Sequence, residues 1–232
     1  MRLLKKTKKK TQKEDEDDIG VDDEINRFLN ETIEIGQKLA NVKMNIRKIQ
    51  ELQRQILYNE STSATSKERK KFVSNTRNLL IECRDQIKRI QYENAHVPSS
   101  DPNFGPRQQK YEYLRTKLCN VLEDYRQVES DFMKRTKDCM TKQYKTWNPK
   151  ATQPEIDYYI SNSDSQLISL LALLKINGIK GAKQVLAELQ KRNEYIKNIE
   201  YTVAELAALS RDFHEFHEQN VQDVGNDYYA EL

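Results

Sequence analysis

The side chains best suited to chemistry are few and poorly grouped. His214-Glu215-Phe216-His217-Glu218 sets two histidines three residues apart, a spacing at which one helical face could share a metal ion. It is not the His-Glu-x-x-His order of a zinc hydrolase, and no third ligand stands nearby, so the pair reads as a solvated helix surface. Cys83, Cys119 and Cys139 are odd in number, widely spaced and lack a Cys-x-x-Cys pair. Each falls at or near an apolar stripe, the setting of free thiols in a reducing compartment. No Walker loop, Gly-x-Gly-x-x-Gly turn, nucleophile elbow or zinc spacing occurs. The basic runs Lys5–Lys13 and Lys67–Lys71 have no interleaved aromatics, which argues against nucleic acid as a partner. The residues therefore predict no enzyme, no metal site and no cofactor.

What does recur is a surface for association. Ala182, Val185, Leu189, Arg192, Ile196, Ile199, Val203, Leu206, Ser210, Phe213, His217, Asn220 and Val224 follow one another in alternating steps of three and four. Held over six heptads, that register is a coiled-coil seam rather than one face of a globular helix. The residues predicted to bind partner helices are Leu189, Ile196, Ile199, Val203, Leu206, Phe213 and Val224. The seam turns polar at Ser210, His217 and Asn220. Gly225 then costs about 1 kcal/mol in a helix interior, so the predicted helix covers residues 181–224 and residues 225–232 form a tail.

The elements that must position this seam are helical as well. Of 232 residues 32% are charged, with only 6 Gly and 5 Pro, a composition that favours long helices. Ile25, Phe28, Thr32, Ile35, Leu39, Val42, Ile46 and Ile49 mark a first helix starting near Val21, with Gln53 and Ile56 continuing its register. Phe72, Thr76, Leu79, Cys83, Ile87 and Ile90 mark a second, from about Lys67 to Glu93. Tyr111, Leu114, Leu118, Val121, Tyr125, Val128 and Phe132 mark a third, broken at Trp147-Asn148-Pro149. Short connections between three such helices predict an antiparallel up-down-up bundle over residues 20–144. Residues 145–180 read as a linker with short helices. The apolar run Leu167–Leu174 is too short to span a bilayer.

Net charge is +3, which selects no partner, but its distribution is uneven. Residues 2–13 carry seven Lys or Arg and no acid, and Glu14–Asp18 are five consecutive acids. Residues 1–19 therefore read as a disordered charged leader. Residues 2–13 offer a weak contact to anionic lipid, worth roughly 1 kcal/mol per basic residue near a charged leaflet. With no apolar leader behind the basic start, the chain as it stands is expected in the cytosol.

Ala182-Lys-Gln-Val-Leu-Ala-Glu-Leu-Gln-Lys-Arg-Asn193 resembles the opening of a syntaxin SNARE motif. Gln108-Gln-Lys-Tyr-x-x-Leu114 through Glu123-Asp-Tyr-Arg-Gln-Val-Glu-Ser-Asp-Phe-Met-Lys-Arg135 is similar to the third helix of the syntaxin regulatory domain, with Phe132 and Thr136 in place of the family's Tyr and Cys. Pro154-Glu-Ile-Asp-Tyr-Tyr-Ile160 sits where syntaxins carry a short linker helix. The resemblance runs from about residue 20 to 224.

The resemblance implies a Qa-type SNARE of all-α fold: a three-helix Habc regulatory domain, a linker, and a SNARE helix that packs on the bundle in a closed four-helix arrangement. Opening would release that helix to synaptobrevin-like and SNAP-type SNARE proteins, driving vesicle fusion in exocytosis, with an SM-family protein clasping the closed form. Ile156 and Asp157 match the linker pair that holds syntaxins shut, with Ile160 beside them. By heptad count Asn220 takes the central polar layer, where the class normally has Gln. The membrane-proximal half of the SNARE helix and the anchor are lacking, so the full-length form is expected to be anchored, cytosol-facing, at the plasma membrane. The alternative is a soluble truncated syntaxin that acts as an inhibitor or scaffold of SNARE assembly.

Overall fold

Stretches rich in Lys, Glu, Gln and Leu become helices wherever no proline or turn cluster intervenes. The computed structural model describes the backbone of residues 2–58, 63–160, 172, 175, 178 and 181–230. It describes the side chains of residues 24–58, 64–146, 148–158, 172, 175, 178 and 181–215. Among the described residues the helices are α1 (Arg2–Leu57), α2 (Ser63–Ala95), α3 (Phe104–Trp147), α4 (Gln153–Ile160) and α5 (Ala182–Ala230), with no strand. The fold is all-α, as composition and periodicity require.

Helix ends follow local chemistry. The Tyr58 amide closes the last turn of α1 on the Arg54 carbonyl at 3.2 Å. After α2, Pro98 and Pro102 interrupt the chain; Asp101 Oδ1 then accepts the Asn103 amide at 2.7 Å and α3 begins. Pro106 lies in the first turn of α3, where its missing N–H leaves no bond unmade. Pro154 is placed in the same way in α4. Gly181 precedes α5 with a φ of 78°, a left-handed conformation that glycine adopts without strain.

Several bounds differ from the sequence expectation. α1 begins at Arg2 and so takes in residues 2–19 of the expected disordered leader (residues 1–19); Lys, Gln and Glu are good helix formers, and no proline precedes Val21. α2 starts at Ser63 rather than near Lys67, since Ser and Thr suit a first helical turn. α5 passes Gly225 to Ala230, because a single glycine weakens a long helix without ending it. The linker run Leu167–Leu174 lies outside the described residues except at residue 172.

The chain forms two compact units. The first takes Met1–Lys43, Arg77–Val121 and Phe216–Leu232. Its interior is Phe28, Ile35, Leu39 and Val42 of α1, Leu80, Cys83, Ile87 and Ile90 of α2, and Tyr111, Leu114, Leu118 and Val121 of α3. Glu31 pairs with Arg89, and Lys38 with Glu82 at 3.3 Å, so α1 and α2 run antiparallel here. The Tyr111 hydroxyl donates to Gln91 at 2.6 Å and Arg107 Nε to Asn94 at 3.0 Å, setting α3 antiparallel to α2. Leu80, rather than Leu79, is the buried leucine of α2, an equally regular step of four from Thr76.

The second unit takes Met44–Thr76 and Leu122–Glu215. Four helices contribute long segments to it, with α4 as a short addition. α1 supplies Ile46, Ile49, Leu52 and Ile56, and α3 supplies Leu122, Tyr125, Phe132, Met140 and Tyr144. The candidate seam from Leu189 to Phe213 lies within this unit, whereas Asn220 and Val224 belong to the first unit's segment Phe216–Leu232.

Candidate partner-helix interface

A seam of alternating three and four steps must be covered by something apolar, because leaving it in water forfeits about 25 cal/mol per Å². In the second unit the chain covers it with its own helices. Leu189, Ile196, Ile199, Leu206 and Phe213 are buried, and Val203 is half-buried. Leu189 and Ile196 cluster with Met140 and Tyr144 of α3, Ile156 of α4, and Ala182. Ile199 clusters with Phe132 of α3 and Ile56 of α1, with Tyr195 and Val203 packed against them. As α5 numbers rise from Leu189 to Ile199, α3 numbers fall from Met140 to Phe132, so α5 lies antiparallel to α3. Asn220 and Val224 fall within α5, but their side chains lie outside the described residues.

The linker residues separate in role. Ile156 is fully buried in the α3–α5 cluster. Its neighbour Glu155 faces α3, accepting from the Tyr144 hydroxyl and Asn148 Nδ2, both at 3.3 Å. Asp157 is exposed and accepts from Gln153 Nε2 within α4 at 2.8 Å. The Ile160 side chain lies outside the described residues.

Polar contacts rim this interface. The Ser66 and Tyr195 hydroxyls hydrogen-bond between α2 and α5. Lys70 pairs with Glu194 at 2.9 Å and Lys137 with Glu200 at 3.9 Å. Exposed pairs of this kind contribute about 0–1 kcal/mol each. Burying one Leu, Ile or Phe side chain contributes about 1.5–3 kcal/mol. The apolar seam, not the charged rim, therefore holds α5.

Beside the seam lies a polar node. Glu129 of α3 is fully buried and accepts from Arg69 Nη2 of α2 at 2.9 Å and from Gln53 Nε2 of α1 at 3.1 Å. Burial raises its carboxyl above the usual range, against the opposing pull of the Arg69 guanidinium. Arg69 also lies 5.4 Å from the centre of the Phe132 ring. The α3 stripe had placed Val128 in the core; Val128 is half-buried, and Glu129 takes the interior position. Residue type concealed it, since a Glu on a helix reads as solvent-facing. Its only sequence signal is its register, four residues after Tyr125 and three before Phe132.

His214 is exposed with Nδ1 on the Ser210 carbonyl at 2.7 Å, and the His217 side chain lies outside the described residues. Among the described residues no three His, Cys, Asp or Glu side chains group to hold a metal ion. Cys83 is buried and its thiol pushed up to about 12 by desolvation; Cys119 and Cys139 are half-buried. Among the described residues no helix is long and apolar enough to cross a membrane. The side chains of residues 2–13, the proposed lipid contact, lie outside the described residues.

Comparisons with known proteins agree with this geometry. The family profile described as Syntaxin matches residues 22–169. Protein SSO1 of Saccharomyces cerevisiae is 28% identical over 200 residues, covering 85% of this chain and 67% of that protein. Protein transport protein SSO2 of Candida albicans is 28% identical, over 88% of this chain and 68% of its own length. Syntaxin-like protein psy1 of Schizosaccharomyces pombe is 26% identical, over 81% and 67%. Among solved structures, the Unc18-syntaxin 1 complex from Monosiga brevicollis matches with a TM-score of 0.58 and 17% identity, covering 81% of this chain and 80% of that one. At that identity the likeness concerns the fold.

Proposed function

The chain belongs to the syntaxin family, and on that premise we propose that it is a target-membrane SNARE held shut by its own first three helices. Syntaxins are SNARE proteins of vesicle transport, not enzymes. The observation that carries the closed reading is the burial of Leu189, Ile196, Ile199, Leu206 and Phe213 against the chain itself. One helix face cannot pack on α3 and on partner helices at the same time. Release and assembly are thus alternatives, a two-state device whose balance is set by whatever covers the seam.

On this reading residues 20–144 are the regulatory domain, 145–180 the linker, 181–224 the SNARE segment and 225–232 a tail. Ile156 ties the linker across α3 and α5. The released seam, with Val203 and Val224 in its layers and Asn220 as its central polar position, joins synaptobrevin-like and SNAP-type helices. An SM-family protein clasps the closed form, a reading supported by the fold likeness to a syntaxin in complex with Unc18. The working location is the cytosolic face of the plasma membrane, in keeping with relatives named for protein transport.

The test is assembly. The purified chain, mixed with synaptobrevin-like and SNAP-type helices, should give a ternary complex that survives gel filtration and gains helical signal. No complex, even after removal of residues 1–180, would exclude the SNARE reading.

A further inference from the structure

The α5 face that is buried in the second unit carries three buried polar side chains, Arg192, Asn193 and Thr202. They are not treated alike. The Thr202 hydroxyl donates to the Asn198 carbonyl at 2.9 Å. Arg192 directs Nη1 to the Cys139 sulfur and Nη2 to Glu188. Asn193 is only 4% exposed, yet neither its Nδ2 nor its Oδ1 meets a hydrogen-bond partner among the described residues. It stands four residues after Leu189 and three before Ile196, on the face those two bury against Met140, Tyr144 and Ile156.

In the packed state the amide loses its water and gains nothing in return; on a released helix it is hydrated again. A buried amide without a partner weakens the state that buries it by a factor of about five to a hundred. A Leu at that position would incur no such loss. We propose that Asn193 sets the release equilibrium of α5, acting as a polar weak point near the N-terminal end of the covered seam. The proposal rests on the closed reading above and adds to it the residue that tunes it. It follows that α5 detaches first around Asn193, next to the linker helix, and that whatever covers or hydrates this amide controls access to the seam.

The experiment is amide hydrogen exchange on the full chain, followed across residues 182–215, for wild type, Asn193→Leu and Asn193→Met. Leu keeps the branched outline of Asn without its polar atoms but is larger, and Met adapts to an imperfect fit. Exposed Asn198→Leu serves as the control. Exchange across 182–215 should slow by about five- to a hundredfold in the Leu or Met variant, and partner association should slow in parallel; the control should not move. Wild-type protection with unchanged or faster exchange in both Asn193 variants would overturn the proposal while the closed packing stands. Absence of protection in wild type would overturn both.

Discussion

Two polar intrusions into the second unit differ in how they are answered. At the Glu129 node three helices converge: Arg69 and Gln53 reach the carboxylate from α2 and α1, and the group accepts at both oxygens, while Arg69 Nε and the Tyr125 hydroxyl meet no partner among the described residues. At Asn193 on α5 the amide meets no partner among the described residues. The first arrangement joins α1, α2 and α3 and penalises any attempt to separate them. The second weakens the packing of α5 without abolishing it. In the proposed closed state, core and releasable cover are built from the same amphipathic helices, and these two sites differ in whether the central buried group is bonded across helices.

That contrast is broken most forcefully at the node. Arg69→Met leaves Glu129 buried without its cation and should cost about 3–5 kcal/mol, read as a fall in the urea midpoint for α1–α3 as a unit. Replacing Glu129 and Arg69 together by Leu and Met should recover much of that loss, since the apolar pair leaves no charge unanswered. Ile199→Ala acts on the other side of the comparison. A cavity between Phe132 and Ile56 should cost about 2–5 kcal/mol, yet appear as loosening of α5 rather than unfolding of α1–α3. Protease cleavage confined to residues 182–215 would report it; simultaneous cleavage in α1–α3 would erase the distinction between core and cover.

Smaller effects sharpen the linker. Ile156→Ala with Asp157→Ala should speed partner association, with Ile156 supplying nearly all of the change because Ile156 is fully buried whereas Asp157 is exposed and bonded to Gln153 within α4. Asp157→Ala alone should leave the rate within about twofold, as surface substitutions usually do. Lys70→Ala should shift the α5 equilibrium by at most about 1 kcal/mol, because both Lys70 and Glu194 are more than half exposed.

A separate effect lies at high pH in the first unit. The folded Cys83 thiol is held near 12 against an ordinary value of 9.0, so its contribution to stability is complete below pH 9 and is lost as pH rises toward 12. At pH 9.5 Cys83 should resist iodoacetamide in the native chain and react once urea unfolds it. Mass spectrometry of the alkylated peptides distinguishes the two.

Most of the architecture was legible because helical packing writes itself into spacing. Phe28 through Ile56 fell on one stripe and are buried as a stripe, and Leu189, Ile196, Ile199, Leu206 and Phe213 likewise. Within a stripe about 100° wide, neighbouring residues compete, and sequence cannot decide between Leu79 and Leu80 or between Val128 and Glu129. Contacts between distant segments left no trace either. Ser66 and Tyr195 lie 129 residues apart, and Glu129 and Arg69 lie 60 apart. Nothing in the spacing of either helix announces that its partner is polar. The resemblance at Ala182–Asn193 led to the right family, but it gave no hint that Asn193 would be buried without a partner.

On the proposed closed-state reading, the seam of α5 serves either the chain's own helices or partner helices, never both. The most direct test is the association rate with synaptobrevin-like and SNAP-type helices, measured for the full chain and for residues 181–232 alone. Covering the seam should make the full chain slower by at least about tenfold, the factor that 1.4 kcal/mol of closure supplies, and the Ile156→Ala chain should fall between the two. Equal rates for the full chain and the isolated segment would contradict the account.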